Sequence, residues 1–189
     1  MIKHFESYLR VTSPYGKRKS PITGKEEFHS GIDVVKANTG DILVTVPGTI
    51  VFAKFADKGT GVGGFGNVVC VVDENNHLHL YGHLDSVSCK VNQTVKKGDV
   101  IGKQGNTGQS AGSHLHYEIR TKASPSFGWG FHTDPIAYLD KYENEEKAKD
   151  WKQQGLEYLQ KEAGISASWK PTDAVDIGTL GTILKRLKL

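Results

Sequence analysis

The sequence predicts a mostly β fold: an antiparallel sheet domain followed by a small α-helical hairpin. Three observations predict it. From Val11 to about Leu139 the chain is a series of short β-branched or alternating runs, each closed by glycine or another turn residue. No segment of that stretch carries the apolar period of a helix. After Lys141 the character changes to charged, helix-favouring residues with no Gly or Pro until Gly155.

The strand-like runs are Ile42 to Val46, Thr49 to Phe55, Val68 to Val72, His77 to Tyr81 and Leu115 to Ile119. Pro47-Gly48 marks a turn between the first two. Asp73-Glu74-Asn75-Asn76 turns the third into the fourth, since Asn tolerates positive φ. Gly59 to Gly66, with Gly61, Gly63 and Gly64 inside it, is a flexible loop ahead of a strand; it lacks GxxxxGK[ST] and no helix follows, so it is not a phosphate loop. Behind Lys141, Trp151, Tyr158, Leu159 and Glu162 share one helical face and Gly164 is a stop signal. Ile177, Leu180, Ile183, Leu184 and Leu187 follow Pro171 at helical spacing. The expected division is a sheet domain over 1–141 and a helical module over 142–189. So small a module barely buries enough surface to stand alone, so it leans on the sheet domain, on a second copy or on a ligand.

At 189 residues the chain holds one ordinary domain and an appendage. Its 37% apolar and 24% charged residues are those of a globular protein. A formal charge of +3 lacks the basic stripe of a nucleic-acid binder, so no nucleic-acid partner is expected. No apolar run reaches the ~18 residues of a membrane span. Met1 to Arg10 carries Glu6 and no apolar h-region, so it does not read as a secretory signal. Cys70 and Cys89 have no CxxC spacing; Cys70, inside an apolar run, reads as a buried free thiol, and neither reads as a metal ligand.

Histidine is the informative residue, because eight are unevenly placed. His29 and Asp33 lie four apart in His29-Ser30-Gly31-Ile32-Asp33, and His114 and His116 lie two apart. Residues i and i+2 of a strand point to one face, so His114 and His116 can converge on one site. Two imidazoles and a carboxylate with an open fourth position is the arrangement of catalytic zinc. His83, in Tyr81-Gly82-His83-Leu84, adds an imidazole close to a strand end. A second pair, His77-Leu78-His79, sits beside a polar turn where surface histidines are common, and is read as lying off the metal. Tyr81 and His79 share strand parity with His83, which places them on the floor of a groove that His83 faces.

These segments, with Val95-Lys96-Lys97-Gly98-Asp99-Val100-Ile101-Gly102, Gly105-Asn106-Thr107-Gly108 and Gly112-Ser113-His114-Leu115-His116-Tyr117-Glu118, resemble the lysostaphin-type zinc peptidoglycan endopeptidases. Ser13-Pro14-Tyr15-Gly16-Lys17-Arg18 and Pro21-Ile22-Thr23-Gly24-Lys25 match the lead-in of that family, and Thr133-Asp134-Pro135 with Tyr138-Leu139 its close. The resemblance implies an antiparallel β metallopeptidase domain holding one Zn²⁺ on His29, Asp33 and His116, with a water in the fourth position. It implies that His114 is the general base and that His83 polarises the scissile carbonyl or holds the oxyanion. It implies bacterial peptidoglycan as substrate, cut at glycine cross-bridges or D-alanyl links, the D-alanyl link being the expectation here. The glycine loop becomes one wall of the groove. Asn67 becomes a candidate for hydrogen-bonding substrate backbone, beside a plain turn role, and Arg18 and Tyr15 become candidates at the cleft border.

Trp151, Gly155, Leu159 and Gly164-Ile165, followed by Leu180, Leu184 and Arg186, resemble one S-layer-homology repeat. That implies a secondary wall polysaccharide as partner of residues 143–189; a homodimer through the apolar helix faces is the alternative. A catalytic domain followed by a binding module, without a signal peptide, is similar to a phage or prophage endolysin, made in the host cytoplasm and lysing the host after the membrane is breached. A secreted or virion-associated enzyme is the alternative location, and a non-catalytic wall-binding or phage tail structural protein the alternative function.

Overall fold

The computed structural model describes residues 4–5, 7–37, 40–162, 164–166, 168–170 and 177–186. The chain forms two compact units, Met1–Leu139 and Asp140–Leu189.

The first unit carries the strands β1 (Arg10–Ser13), β2 (Gly16–Lys19), β3 (Glu26–His29), β4 (Ile32–Val35), β5 (Asp41–Leu43), β6 (Gly48–Phe55), β7 (Asn67–Val72), β8 (Leu78–Leu84), β9 (Ser86–Val87), β10 (Thr94–Val95), β11 (Val100–Lys103), β12 (Leu115–Arg120) and β13 (His132–Thr133). The main sheet runs in the order β1-β4-β12-β8-β7-β6-β10, with β13 paired to the end of β12. Its pairings are antiparallel throughout. β5-β11-β9 and β2-β3 form two smaller sheets. All five expected strands are present. The β7–β8 hairpin turns where expected, with Asn76 at φ 61 and the Asp73 carboxylate accepting the Asn75 and His77 amides at 2.9 and 2.8 Å.

The two central strands, β8 and β12, are buried along their whole length, so both faces of the sheet are covered. On one face Val68, Cys70, Leu78 and Leu80 pack with Phe52 and Val62. On the other, Tyr81 and Tyr117 stand opposite one another. Their hydroxyls meet Thr45 Oγ1 at 2.7 and 2.6 Å. His79 hydrogen-bonds Tyr117 Oη at 2.6 Å and Asp73 at 3.2 Å. Every polar group in that row has a partner, as burial demands. Cys70 and Cys89 are free and buried.

Helix α1 (Pro135–Glu162) starts well before the charged stretch that announced it. Asp134 caps it, accepting the Ile136 amide at 2.9 Å, and Pro135 occupies the first helical position, where its missing N–H costs nothing. Gly155 lies inside the helix without ending it. Helix α2 (Ile177–Arg186) follows. In the second unit Leu156 and Ile183 are buried, whereas Trp151, Tyr158, Leu180 and Leu184 are exposed. Pro171, Leu187 and the side chain of Ile177 lie outside the described residues. No helix among the described residues is long and apolar enough to cross a membrane.

Candidate active site

Three strands bring the donors together. His29 ends β3, Asp33 sits in β4, and His116 in β12 pairs directly with Asp33. His29 Nε2 lies 3.1 Å from His116 Nδ1 and 3.1 Å from Asp33 Oδ1, and His116 Nδ1 lies 2.9 Å from Asp33 Oδ1. Metal–ligand bonds of ~2.0–2.1 Å at tetrahedral angles put neighbouring donors ~3.3 Å apart, so this triangle is one slightly compressed face of a zinc tetrahedron. All three residues are buried.

The outward atoms of each ligand are committed elsewhere, which decides what points inward. His29 donates Nδ1–H to the Pro14 carbonyl at 2.8 Å, leaving the Nε2 lone pair for the site. The other nitrogen of His116 meets Glu118 Oε2 at 3.2 Å. Asp33 Oδ2 accepts from Arg18 at 2.9 Å, so Oδ1 alone faces the donors. Burial by itself would raise the Asp33 carboxyl, but the imidazoles of His114, His116 and His29 packed around it hold it well below the usual carboxylate range. Burial likewise opposes the charge on His116, and Asp33 and Glu118 overcome it and raise its pKa. Two imidazoles and an ionised carboxylate turned toward one point fit a divalent cation.

Two more imidazoles stand beside the triangle, 4.8 Å apart. His114 donates Nδ1–H to the Gly112 carbonyl at 2.7 Å, and its Nε2 comes within 3.5 Å of Asp33 Oδ1. His83 donates Nδ1–H to the Thr107 carbonyl at 2.8 Å. Both rings therefore present Nε2 to the groove. Burial first, then the charge of His116, lowers His83 to about 4. Neutral His83 offers a lone pair, and it can hold an oxyanion only after gaining a proton. His83 reaches the site because its backbone is left-handed, at φ 62, a conformation rare for a non-glycine residue. The groove over these groups is walled by Gly63, Gly64 and Phe65 on one side and by Ser110 to Ser113 on another.

Residues 27–127, more than half of the chain, match peptidase family M23. The chain belongs to peptidase family M23. It is 38% identical over 118 residues to the DD-carboxypeptidase/endopeptidase Mpg of Neisseria meningitidis, covering 62% of this chain and 26% of that protein. It is 31% identical over 124 residues to the murein hydrolase activator NlpD of Escherichia coli, covering 66% of this chain and 29% of that protein. The chain thus spans under a third of the length of these relatives. Among solved structures, the catalytic domain of the antimicrobial peptidase lysostaphin from Staphylococcus simulans superposes with a TM-score of 0.62 at 26% identity, over 74% of this chain and 98% of that one. A mutant catalytic domain of the prophage-encoded M23 protein EnpA from Enterococcus faecalis gives 0.55 at 31% identity, over 67% and 88%.

In this M23 chain the five expected metal and catalytic residues lie together, and the expected groove residues divide. Arg18 lines the groove but is spent on Asp33 and on Glu27 at 2.8 Å. Tyr15 is set back, its hydroxyl on His132 Nδ1 at 3.0 Å and its ring edge-on to Phe28. The Asn67 side chain, at the start of β7, donates to the Asp85 carbonyl at 3.0 Å. Tyr81 and His79 are corrections: both are fully buried on the far face of the sheet. Parity placed them with His83, and the left-handed backbone at His83 breaks that parity. Nor is His79 a surface histidine; its imidazole joins Tyr117 to Asp73. Three contributors went unread in the sequence: Glu118 behind His116, Ser30 donating to Glu118 at 2.6 Å, and Phe65, stacked on His116 at 4.8 Å.

Proposed function

We propose that this chain is a zinc metalloendopeptidase that hydrolyses peptide bonds of bacterial peptidoglycan. The observation that carries the proposal is the triangle of His29 Nε2, Asp33 Oδ1 and His116 Nδ1 with two further Nε2 atoms, of His114 and His83, turned to the same groove. A zinc ion on the triangle supplies positive charge that acidifies the attacking water and stabilises charge developing on the scissile carbonyl oxygen. His114 takes the proton of that water at Nε2, its ring held by the Gly112 carbonyl. His83 is the second acceptor, and once protonated it can donate to the oxyanion or to the leaving amine. Arg18 keeps Asp33 from rotating away.

The D-alanyl link is the bond this reading favours, supported by the likeness to an enzyme named for DD-carboxypeptidase and endopeptidase activity. Residues 143–189 would tether the enzyme to a wall polysaccharide, and the likeness to prophage-encoded EnpA supports a phage-type lysin. The likeness to NlpD supports a second reading, an activator of other hydrolases without cleavage of its own. One experiment separates them. Purified walls of several cross-link chemistries are incubated with the zinc-loaded chain, and the products are sequenced by mass spectrometry. New termini at one cross-link support the enzyme. Unchanged walls with zinc bound leave the activator.

A further inference from the structure

Arg120 heads the fully buried side chains of the described residues, and nothing in the chemistry above uses it. It lies on β12 four residues beyond His116, on the same face. Its Nε donates to Glu118 Oε1 at 2.6 Å. Glu118 Oε2 in turn accepts from Ser30 at 2.6 Å and from His116 Nε2 at 3.2 Å. The other arm of the guanidinium, Nη1, donates to the Gly61 carbonyl at 2.8 Å and the Phe127 carbonyl at 2.9 Å. Its carbon sits 5.5 Å from the ring of Trp129. Gly61 belongs to the loop whose Gly63 and Gly64 wall the groove, and Trp129 lines the groove as well. Gly61 approaches the next turn so closely that a Cβ there would lie 2.0 Å from the Ser126 carbonyl oxygen. Nη2 is the one buried side-chain polar atom left without a hydrogen bond among the described residues.

A buried ion pair with an unsatisfied donor is a poor device for stability alone, since apolar groups of the same size commonly do as well. Its geometry is better suited to holding two things in register. We propose that Glu118 and Arg120 are positioning residues acting as one unit: Glu118 fixes the His116 ring with Nδ1 turned inward, and Arg120 sets the distance from that ring to the Gly61 loop and to the turn of residues 127–129 beside the groove. The proposal rests on the zinc peptidase reading of the site.

The test uses the full chain and the variants Glu118→Gln and Arg120→Lys. Folding is checked by circular dichroism, Zn²⁺ affinity by chelator competition, the His116 nitrogen that carries the metal by ¹⁵N NMR of the zinc-loaded protein, and kcat and KM on a soluble stem peptide. Glu118→Gln keeps the shape and loses the charge. It should weaken Zn²⁺ binding about 10–100-fold and leave the metal on either nitrogen of His116. Arg120→Lys keeps the charge beside Glu118 but cannot also reach both carbonyls. It should bind Zn²⁺ nearly as wild type and lose efficiency mainly through a raised KM. If Arg120→Lys does not fold, the double variant Glu118→Gln/Arg120→Met leaves no unpaired buried charge, and it should show both losses together. Wild-type Zn²⁺ affinity in folded Glu118→Gln overturns the first half of the proposal, and an unchanged KM in the folded arginine variant overturns the second. A wild-type chain that takes up no Zn²⁺ overturns the zinc reading itself, and with it this one.

Discussion

Gly66→Ala tests how the second wall of the site is held. Gly66 has φ +69, and a Cβ there would lie 2.4 Å from both the carbonyl carbon and Oγ1 of Thr107 and 2.6 Å from the Gly108 amide nitrogen. Non-bonded carbons rest at ~3.5–4.0 Å, so the Thr107 segment must retreat by about 1 Å. Thr107 Oγ1 accepts the Asn67 amide at 2.9 Å and donates to the Leu84 carbonyl at 2.7 Å, while its own carbonyl holds His83 at 2.8 Å. The left-handed backbone costs an alanine ~1–2 kcal/mol, and two lost hydrogen bonds cost ~1 kcal/mol each. The total, ~3–4 kcal/mol, lowers Tm by roughly 6–16 °C at ~2–4 °C per kcal/mol for a chain of this size. A displacement of His83 by ~1 Å should also cost ~10²-fold in kcat. Zn²⁺ affinity should barely change, because the three donors ride on β3, β4 and β12. Differential scanning calorimetry, chelator competition and stem-peptide kinetics measure the three quantities. A Tm within about 2 °C of wild type, the shift of less than ~1 kcal/mol, would refute the packing argument, and loss of zinc with turnover retained would refute the division of labour.

Three further outcomes are expected. His29→Ala and Asp33→Ala should purify metal-poor and inactive, whereas His114→Ala should keep its zinc and lose ~10²-fold or more in kcat; full zinc occupancy in the first two by elemental analysis contradicts the ligand set. In the zinc-free protein burial lowers His83 from 6.5 to about 4 and also lowers His79, while at Asp73 burial is outweighed by bonds from His79 and Tyr138 and the pKa falls from 3.8 to about 2. All three folded values lie below the unfolded ones, so their stability is present above pH 6.5, is lost through His83 between 6.5 and about 4, through His79 as pH falls below 6.5, and through Asp73 between 3.8 and about 2. His83 alone is worth on the order of 3 kcal/mol; denaturant midpoints that stay flat across that window would contradict the linkage. A chain ending at Tyr142 keeps Tyr138 and the first turns of α1, and should cleave a soluble stem peptide normally but clear intact walls more slowly, since tethering raises local substrate concentration. Equal rates on walls remove that role from residues 143–189.

Much of the sheet and the inner ring of the site was legible in the sequence, and the reasons are local. β6, β7 and β12 are long enough to show β-branched alternation, and His114 with His116 shows the two-residue period directly. β2 and β3 are Gly-Lys-Arg-Lys and Glu-Glu-Phe-His, whose charges hide a hairpin that exists to place His29. β4 carries Asp33 amid Ile32, Val34 and Val35, buried on both faces, so no alternation survives to be read. Glu118 and Arg120 sit two and four residues beyond His116 in plain view, yet their partners, Ser30, Gly61 and Phe127, are distant in the chain and only the fold joins them. The start of α1 was masked because Asp134-Pro135 also closes the sheet domain, and a proline there reads as a stop as easily as a start.

The main sheet works as a partition. Its near side carries the imidazoles and the groove, while its far side carries the sealed row of Thr45, Tyr81, Tyr117, His79 and Asp73. One strand, β8, serves both compartments, changing sides at the left-handed torsion of His83. The loops around the groove can therefore be exchanged for others with the far-side row left intact. Robustness to heat and acid can be adjusted from that row with little change to the chemistry. A scaffold divided in this way lets the groove and the far-side row vary independently of one another.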